Sequence, residues 1–416
     1  MTEHQVLIIG AGPAGLSAAA QLASLGVSDV VVLERERHAG GVPRHCGHLG
    51  FGWHEFGRLL TGPGYARRLV ESARSAQVRT GVTVLRVEPG GVVHLATPNG
   101  AATLKGQRVL LALGARESPR AARLVSGARP WGVVTTGALQ QMVYLARLRP
   151  FERAVIVGSE LVSFSNLLTM RHARIRPLAI VEEEPRIIAP GPARAIARMV
   201  FGARVLVGTR VVAIHGGARV SGVEVEHAGQ REILECDGVV FSGRFVPEAA
   251  ILQSSHLVLD PATGGPVVDQ YGRCSDPSYF AAGNLLRPVE PSWNVWEEGR
   301  AVARSLAASL RRELPEAEHF LSIRAEGAVR YVCPQRIARP APLPPALPLN
   351  LRVSREVRGR LRLRGGDREI WSAERHLLPE RRILVPAPLY LPAGVDSLTV
   401  EVSVPSSGHS SLVTGC

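Results

Sequence analysis

Lysine is nearly missing from this chain: of its 49 basic residues only Lys105 is not an arginine. Set against 36 acidic residues the balance is +13, yet the arginines are scattered and form no block interleaved with aromatics. A nucleic-acid partner needs a clustered basic footprint, so that class is set aside. A basic surface still attracts anionic substrates or an acidic redox partner. Cysteine is sparse too. Cys46, Cys236, Cys274, Cys333 and Cys416 stand far apart without a CxxC pair, which excludes a disulfide framework and any zinc or iron–sulfur cassette with a readable spacing. No apolar run approaches the roughly 18 residues of a membrane span. The first residues, Met1 to Gln5, lead directly into a strand pattern and resemble no secretory leader, so a cytoplasmic location is the expectation.

Glycine, by contrast, is present in a telling order. Val6–Ile9 is a short apolar run that predicts a buried parallel strand. Gly10-Ala-Gly12-Pro13-Ala14-Gly15 follows at once, then a small-residue helix over 16–25, then a second strand from Val30 that ends on Glu34. Gly10 makes the tight turn, Gly12 lets the backbone approach a pyrophosphate, and Gly15 lets helix and strand pack closely. The diphosphate then sits on the helix N-terminus, where unpaired N–H groups favour an anion. Glu34, 24 residues after Gly10, is placed to accept hydrogen bonds from an adenosine ribose.

Three further segments carry a resemblance. Gly40 and Gly41 follow the acid, Val109–Glu117 reads as a strand leaving through Gly114, and Tyr279–Asn284 reads as a strand ending on Gly283 and Asn284. With the glycine turn they resemble the FAD/NAD-linked disulfide reductase-like superfamily over about residues 5–310. That resemblance implies an α/β fold: two interleaved Rossmann-like (three-layer ββα) domains. It also implies FAD, held by Gly10, Gly12, Pro13, Ala14, Gly15, Glu34, Gly41, Gly114, Gly283 and Asn284. Asn284 stands where the superfamily has Asp and adds no charge beside the diphosphate.

Residues 154–182 echo the first unit, with Gly158 to Glu182 again 24 residues apart. Gly158 and Glu182 are therefore candidate NAD(P) contacts, although Glu160 and Ser163 replace the second and third glycines. A carboxylate beside a pyrophosphate repels it, and a side chain keeps the backbone away. Two readings stay open here: a fold retained without its nucleotide, or a modified NAD(P)H site.

The loop 40–52 holds Arg44, His45, Cys46 and His48. Superfamily members that reduce disulfides carry a cysteine pair in this region; here Cys46 is alone, so dithiol chemistry is locally unavailable. Cys46 and His48 are the catalytic candidates, and Arg44 and His48 are suited as donors to the cofactor. His45, Cys46 and His48 match no common zinc spacing, and no metal is expected.

The loop, the 162–165 segment and Gly283–Asn284 together resemble the FAD-binding subunits of opine oxidase, hydrogen cyanide synthase and dye-linked proline dehydrogenase. The likeness implies a reaction on an amino acid, opine or hydroxy compound, carried out with a partner that is a second flavoprotein subunit. Several such FAD-binding subunits carry a cysteine-rich iron–sulfur segment, which this chain lacks. The alternatives are a stand-alone NAD(P)H-dependent flavin oxidoreductase and a non-catalytic electron-relay or scaffold subunit. The domain expectation is an FAD-binding domain over 1–120 and 240–315, an inserted NAD(P)-binding-like domain over 121–239, a Pro-rich linker over 316–349, and a C-terminal antiparallel β domain over 350–416. In that β domain the alternating arginines from Arg352 to Arg364 are read as a solvated face.

Overall fold

The computed structural model describes residues 2–189, 191–314, 316–341, 344–386 and 394–403. β1 (Thr2–Ile9) ends in the fully buried run Val6–Ile9, and helix α1 (Pro13–Ser24) follows the glycine turn. β2 (Val30–Glu34) runs parallel to β1, with Val6 opposite Val30. On the other side of β1 lies β3 (Gly100–Leu111), also parallel, with Leu7 opposite Val109. Where they are buried on both faces, at Val6–Ile9, Val30–Leu33 and Val109–Leu111, these strands need continuous apolar sequence, which is what those stretches have. A two-stranded antiparallel extension, 83–88 and 92–97, widens the sheet beyond β3.

After β3 the chain leaves this sheet and returns only at β7 (Tyr279–Ala281), which pairs parallel with β3. The intervening segment builds a second parallel sheet around β4 (Arg153–Val157), β5 (Arg176–Val181) and β6 (Gly238–Phe241). Helix α2 (Leu161–His172) connects β4 to β5. Alternation along the strands serves two cores. Ala154, Ile156 and Ile180 pack toward the helices, while Val155, Ala179 and Val181 pack toward the antiparallel meander of 209–235. Each half is thus a three-layer ββα unit, and the halves are joined by two short antiparallel strands, 115–117 and 245–247.

Helix α3 (Ser292–Leu310) closes the first unit against α1. A methyl group on Gly299 would lie 2.3 Å from the Ala14 carbonyl oxygen, so only glycine allows this approach. Among the described residues no helix is long and apolar enough to cross a membrane.

Beyond α3 a five-stranded and a three-stranded sheet enclose their own core. Two expectations are corrected here. The stretch 316–349 is no linker: it contributes strands 319–325, 329–333 and 336–339 to the β domain. The described prolines of the spacer-like run, Pro340, Pro344, Pro345 and Pro348, lie between strands 336–339 and 349–353, where a missing N–H costs no ladder bond. The second correction concerns the arginines. Arg358 and Arg360 are exposed, but Arg352 is buried, because Leu349, Leu351 and Val353 fill the β core and turn Asn350 and Arg352 toward the first domain. The strands are antiparallel except for 319–325 and 397–403, which pair in parallel. Cys416 lies outside the described residues.

Candidate functional site

The first glycine turn has the geometry of a diphosphate cradle. At Gly10 (φ +106°) an added Cβ would sit 2.4 Å from the Ala112 carbonyl oxygen, and at Gly15 it would sit 1.9 Å from that of Gly10. At Gly12 it would meet only the Gly41 Cα, at 4.0 Å, so the space above this residue is open. No side chain caps α1, and its first-turn N–H groups face that space. Both oxygens of Glu34 are oriented by backbone donors, the N–H groups of Ala11 and Glu36, each at 2.9 Å. Next to them Arg44 donates to the His38 carbonyl and approaches Glu36 at 3.6 Å, while its buried Nε has no partner among the described residues. An open cradle, an uncapped helix end and a guanidinium with its Nε still unpartnered among the described residues fit the adenosine diphosphate half of FAD.

At the other end of the cradle, Gly283 (φ +79°) lies against Ala14, where a Cβ would be 3.0 Å from the alanine methyl. The Asn284 amide is engaged within its own turn. Its Oδ1 accepts the Glu290 N–H at 2.7 Å and its Nδ2 donates to the Glu290 carbonyl at 3.3 Å. Glu298 accepts the Gly283 N–H at 2.7 Å and pairs with Arg287 at 2.5 Å. Glu290, almost wholly buried, gathers Arg352 at 3.6 Å and Arg287 and Arg382 at 3.9 Å. The turn that would face the cofactor is therefore held by carboxylates whose counter-ions come partly from the β domain.

The loop 40–52 packs on the inserted domain, with Tyr144 seated directly over Gly47. His45 Nδ1 and Cys46 Sγ share one partner, the Gln140 Oε1, at 3.3 and 3.4 Å. Glu117 accepts the N–H groups of Gly137 and Gly243, and its carboxyl is pushed up by burial. Burial, reinforced by Glu117, pushes the Cys46 thiol up to about 12, and burial lowers His45. His48 is half-buried, with Nδ1 on the Leu49 carbonyl and Nε2 without a partner among the described residues. Among the described residues no three His, Cys, Asp or Glu side chains are grouped as metal ligands. Because a thiolate is the reactive species, Cys46 in the folded protein is expected to resist iodoacetamide at pH 8, and Cys46→Ser to keep the oxidoreductase rate. Stoichiometric alkylation with loss of activity, followed by mass spectrometry, would show a reactive thiol instead.

The second turn copies the first and then departs from it. A Cβ on Gly158 (φ +110°) would lie 2.7 Å from the Ser242 carbonyl oxygen, the counterpart of Gly10 against Ala112. Glu182 is held as Glu34 is, accepting from Glu184 N–H at 2.9 Å and from the Ser159 hydroxyl at 2.6 Å. Ser163 occupies the close-approach position and donates to the Ser242 hydroxyl at 2.9 Å. The Glu160 carboxylate does not hang in the phosphate space, as the sequence suggests; it folds across to accept the Arg244 N–H at 2.9 Å. Burial raises its carboxyl, and Arg123 works in the opposite direction. The sequence assigns no site role to Gln140, Glu290 or Glu298, which no local motif marks, nor to Glu117, although that residue closes the Val109–Glu117 segment.

A sequence profile of the pyridine nucleotide-disulphide oxidoreductase family matches residues 4–301. An opine oxidase subunit of Rhizobium meliloti is 26% identical over 315 residues, covering 68% of this chain and 58% of that protein. The chain thus spans under two thirds of the length of that relative. Among solved structures, thioredoxin reductase of T. acidophilum superposes with a TM-score of 0.63 at 24% identity, covering 74% of this chain and 99% of that one. The NAD-dependent persulfide reductase of A. fulgidus gives 0.56 at 19% identity, over 73% and 58%. These likenesses share the fold described above. The profile match ends before the β domain begins.

Proposed function

Since the chain belongs to the pyridine nucleotide-disulphide oxidoreductase family and is an FAD-dependent oxidoreductase, we propose that it is the FAD-binding subunit of a dehydrogenase or oxidase. Its substrate would be an amino acid, opine or hydroxy compound, handled together with a second flavoprotein. The observation that carries this reading is the contrast between the two turns: Gly12 leaves its cradle free of any side chain, whereas at the equivalent position of the second turn Glu160 brings a carboxylate, folded onto the Arg244 N–H, and Ser163 replaces the third glycine. The likeness to the opine oxidase subunit supports the same assignment.

In this reading the N–H groups of α1 hold the diphosphate, Glu34 accepts from the ribose, and Arg44 adds a donor at the adenosine end. Gly283 brings main-chain groups, rather than the Asn284 amide, to the cofactor. Loop 40–52 shields the site from water, which strengthens each of these polar contacts. FAD, when bound, supplies a two-electron acceptor. The described cysteines are all buried and unpaired, which speaks against turnover of a disulfide.

Anaerobic mixing of the purified protein with NADH or NADPH tests the assignment. Slow, weak bleaching is expected without the partner flavoprotein, and rapid bleaching with it and its substrate. A stand-alone NAD(P)H oxidoreductase is the second reading, favoured by Glu182, which like Glu34 accepts the N–H two residues on, with the Ser159 hydroxyl in place of the Ala11 N–H. Fast bleaching by NADH alone would establish it. Glu160→Gly is expected to tighten NADH binding about tenfold. Charges ~4 Å apart repel by about 4 kcal/mol at an effective dielectric near 20. Arg123 and the Arg244 N–H offset most of that, and ~1.4 kcal/mol remaining is a factor of ten. An unchanged dissociation constant would remove Glu160 from the account.

A further inference from the structure

Helix α3 has a second face. Beside its contact with α1, the side chains of Trp296, Arg300 and Arg304 border a cavity of about 400 Å³, closed from the β-domain side by Arg382, Ala346 and Pro348. Arg300 stacks on Trp296, its guanidinium carbon 4.6 Å from the ring centroid, and gives only its Nε to Gln21. Arg304 is exposed and has no hydrogen-bond or ion-pair partner among the described residues. Behind the cavity wall, Glu290 and Glu298 face Arg287, Arg352 and Arg382, two carboxylates against three guanidiniums. The Nε atoms of all three arginines are buried without a hydrogen-bond partner among the described residues. Glu298 is spent on Arg287 and the Gly283 N–H, which leaves Glu297 as the one uncommitted carboxylate on the described lining.

Positive charge is therefore in excess on both walls of a ligand-sized space. Guanidinium excess at a half-buried surface costs desolvation energy that an anion relieves. The described lining holds no glycine, serine or threonine, and so lacks the main-chain nests and hydroxyls that phosphate sites use. Planar guanidinium forks bind carboxylate and phosphate alike through paired hydrogen bonds, so it is the lack of nests and hydroxyls on the described lining that favours a carboxylate. The apolar surfaces of Trp296, Ala346 and Pro348 suit a short carbon chain between two charged ends.

We propose that this cavity, built by α3 and the β domain, binds a small organic dicarboxylate between Arg382 on one wall and Arg300 and Arg304 on the other. This site is separate from the cofactor cradle and does not depend on the partner-subunit reading.

Calorimetric titration of the oxidised, FAD-loaded full chain with glutarate, acetate and inorganic phosphate at constant ionic strength tests it. Saturable one-to-one glutarate binding is expected, with acetate and phosphate at least about tenfold weaker, a difference of ~1.4 kcal/mol. Arg304→Gln alters an exposed side chain with no partner among the described residues, so it keeps the fold; it is expected to weaken glutarate about tenfold, by a similar ~1.4 kcal/mol. Arg382→Gln, checked for an unchanged flavin spectrum and melting curve, is expected to weaken it further. Absence of saturable glutarate binding, or binding indifferent to both substitutions, overturns the site. Phosphate binding as tight as glutarate overturns the dicarboxylate assignment.

Discussion

Gly12→Val is expected to give a folded but colourless protein. Gly12 has an ordinary extended backbone, φ −86° and ψ −172°, so a β-branched residue is not strained there. Nor does the protein itself object, since the nearest atom to an added Cβ is 4.0 Å away. The isopropyl group instead fills the space a diphosphate needs and blocks the first N–H groups of α1. Loss of FAD affinity should exceed ~100-fold, about 2.8 kcal/mol. The neighbouring Gly15 supplies the contrast. Its added Cβ would lie 1.9 Å from the Gly10 oxygen and 3.2 Å from Ile8, so Gly15→Val should destroy the fold as well as the site. Absorbance at the flavin band after desalting, with circular dichroism on the same samples, separates the two effects. Yellow Gly12→Val protein with one FAD per chain would disprove the cradle.

Glu290→Ala should be the most damaging single change outside the cradle. Glu290 is the shared counter-ion of Arg287, Arg352 and Arg382, and it also accepts the Asn294 amide at 3.0 Å. Its removal strands buried guanidiniums, a class of lesion that costs about 3–5 kcal/mol. Each kcal/mol moves the melting point of a domain of 150–250 residues by roughly 2–4 °C, so a fall of about 10 °C is expected. Because the cluster lies inside, added salt should change this difference little. The β domain should also become cleavable from α3 in limited proteolysis, since Glu290 joins the 283–290 turn to Asn350 and Arg352. A variant that melts with the wild type would show that the remaining contacts hold the β domain unaided.

These two residues mark the boundary between what is local and what is not. The Gly12 site is legible because strand, turn, helix and acid are consecutive, and each residue type is dictated by its own stretch of chain. The same holds for the second unit, where Gly158 and Glu182 repeat the spacing and take up matching geometry. Residues 319–339 are harder to read, because their strands are short and followed by a run of prolines, and compositional stiffness masks their alternation.

From the sequence alone follow the two nested nucleotide turns and the absence of a local cysteine pair, because each rests on residues of one stretch of chain; the α/β class and the FAD cofactor follow from the family resemblance those stretches carry together. Tertiary structure alone decides where the charges go. Glu160 meets a main-chain N–H 84 positions away, Cys46 shares Gln140 with His45 across 94, and Glu290 collects Arg352 from another domain. A carboxylate's surroundings determine whether it repels a ligand, braces a turn or neutralises a buried arginine. Those surroundings are assembled by packing between distant segments, and no periodicity within one segment encodes them.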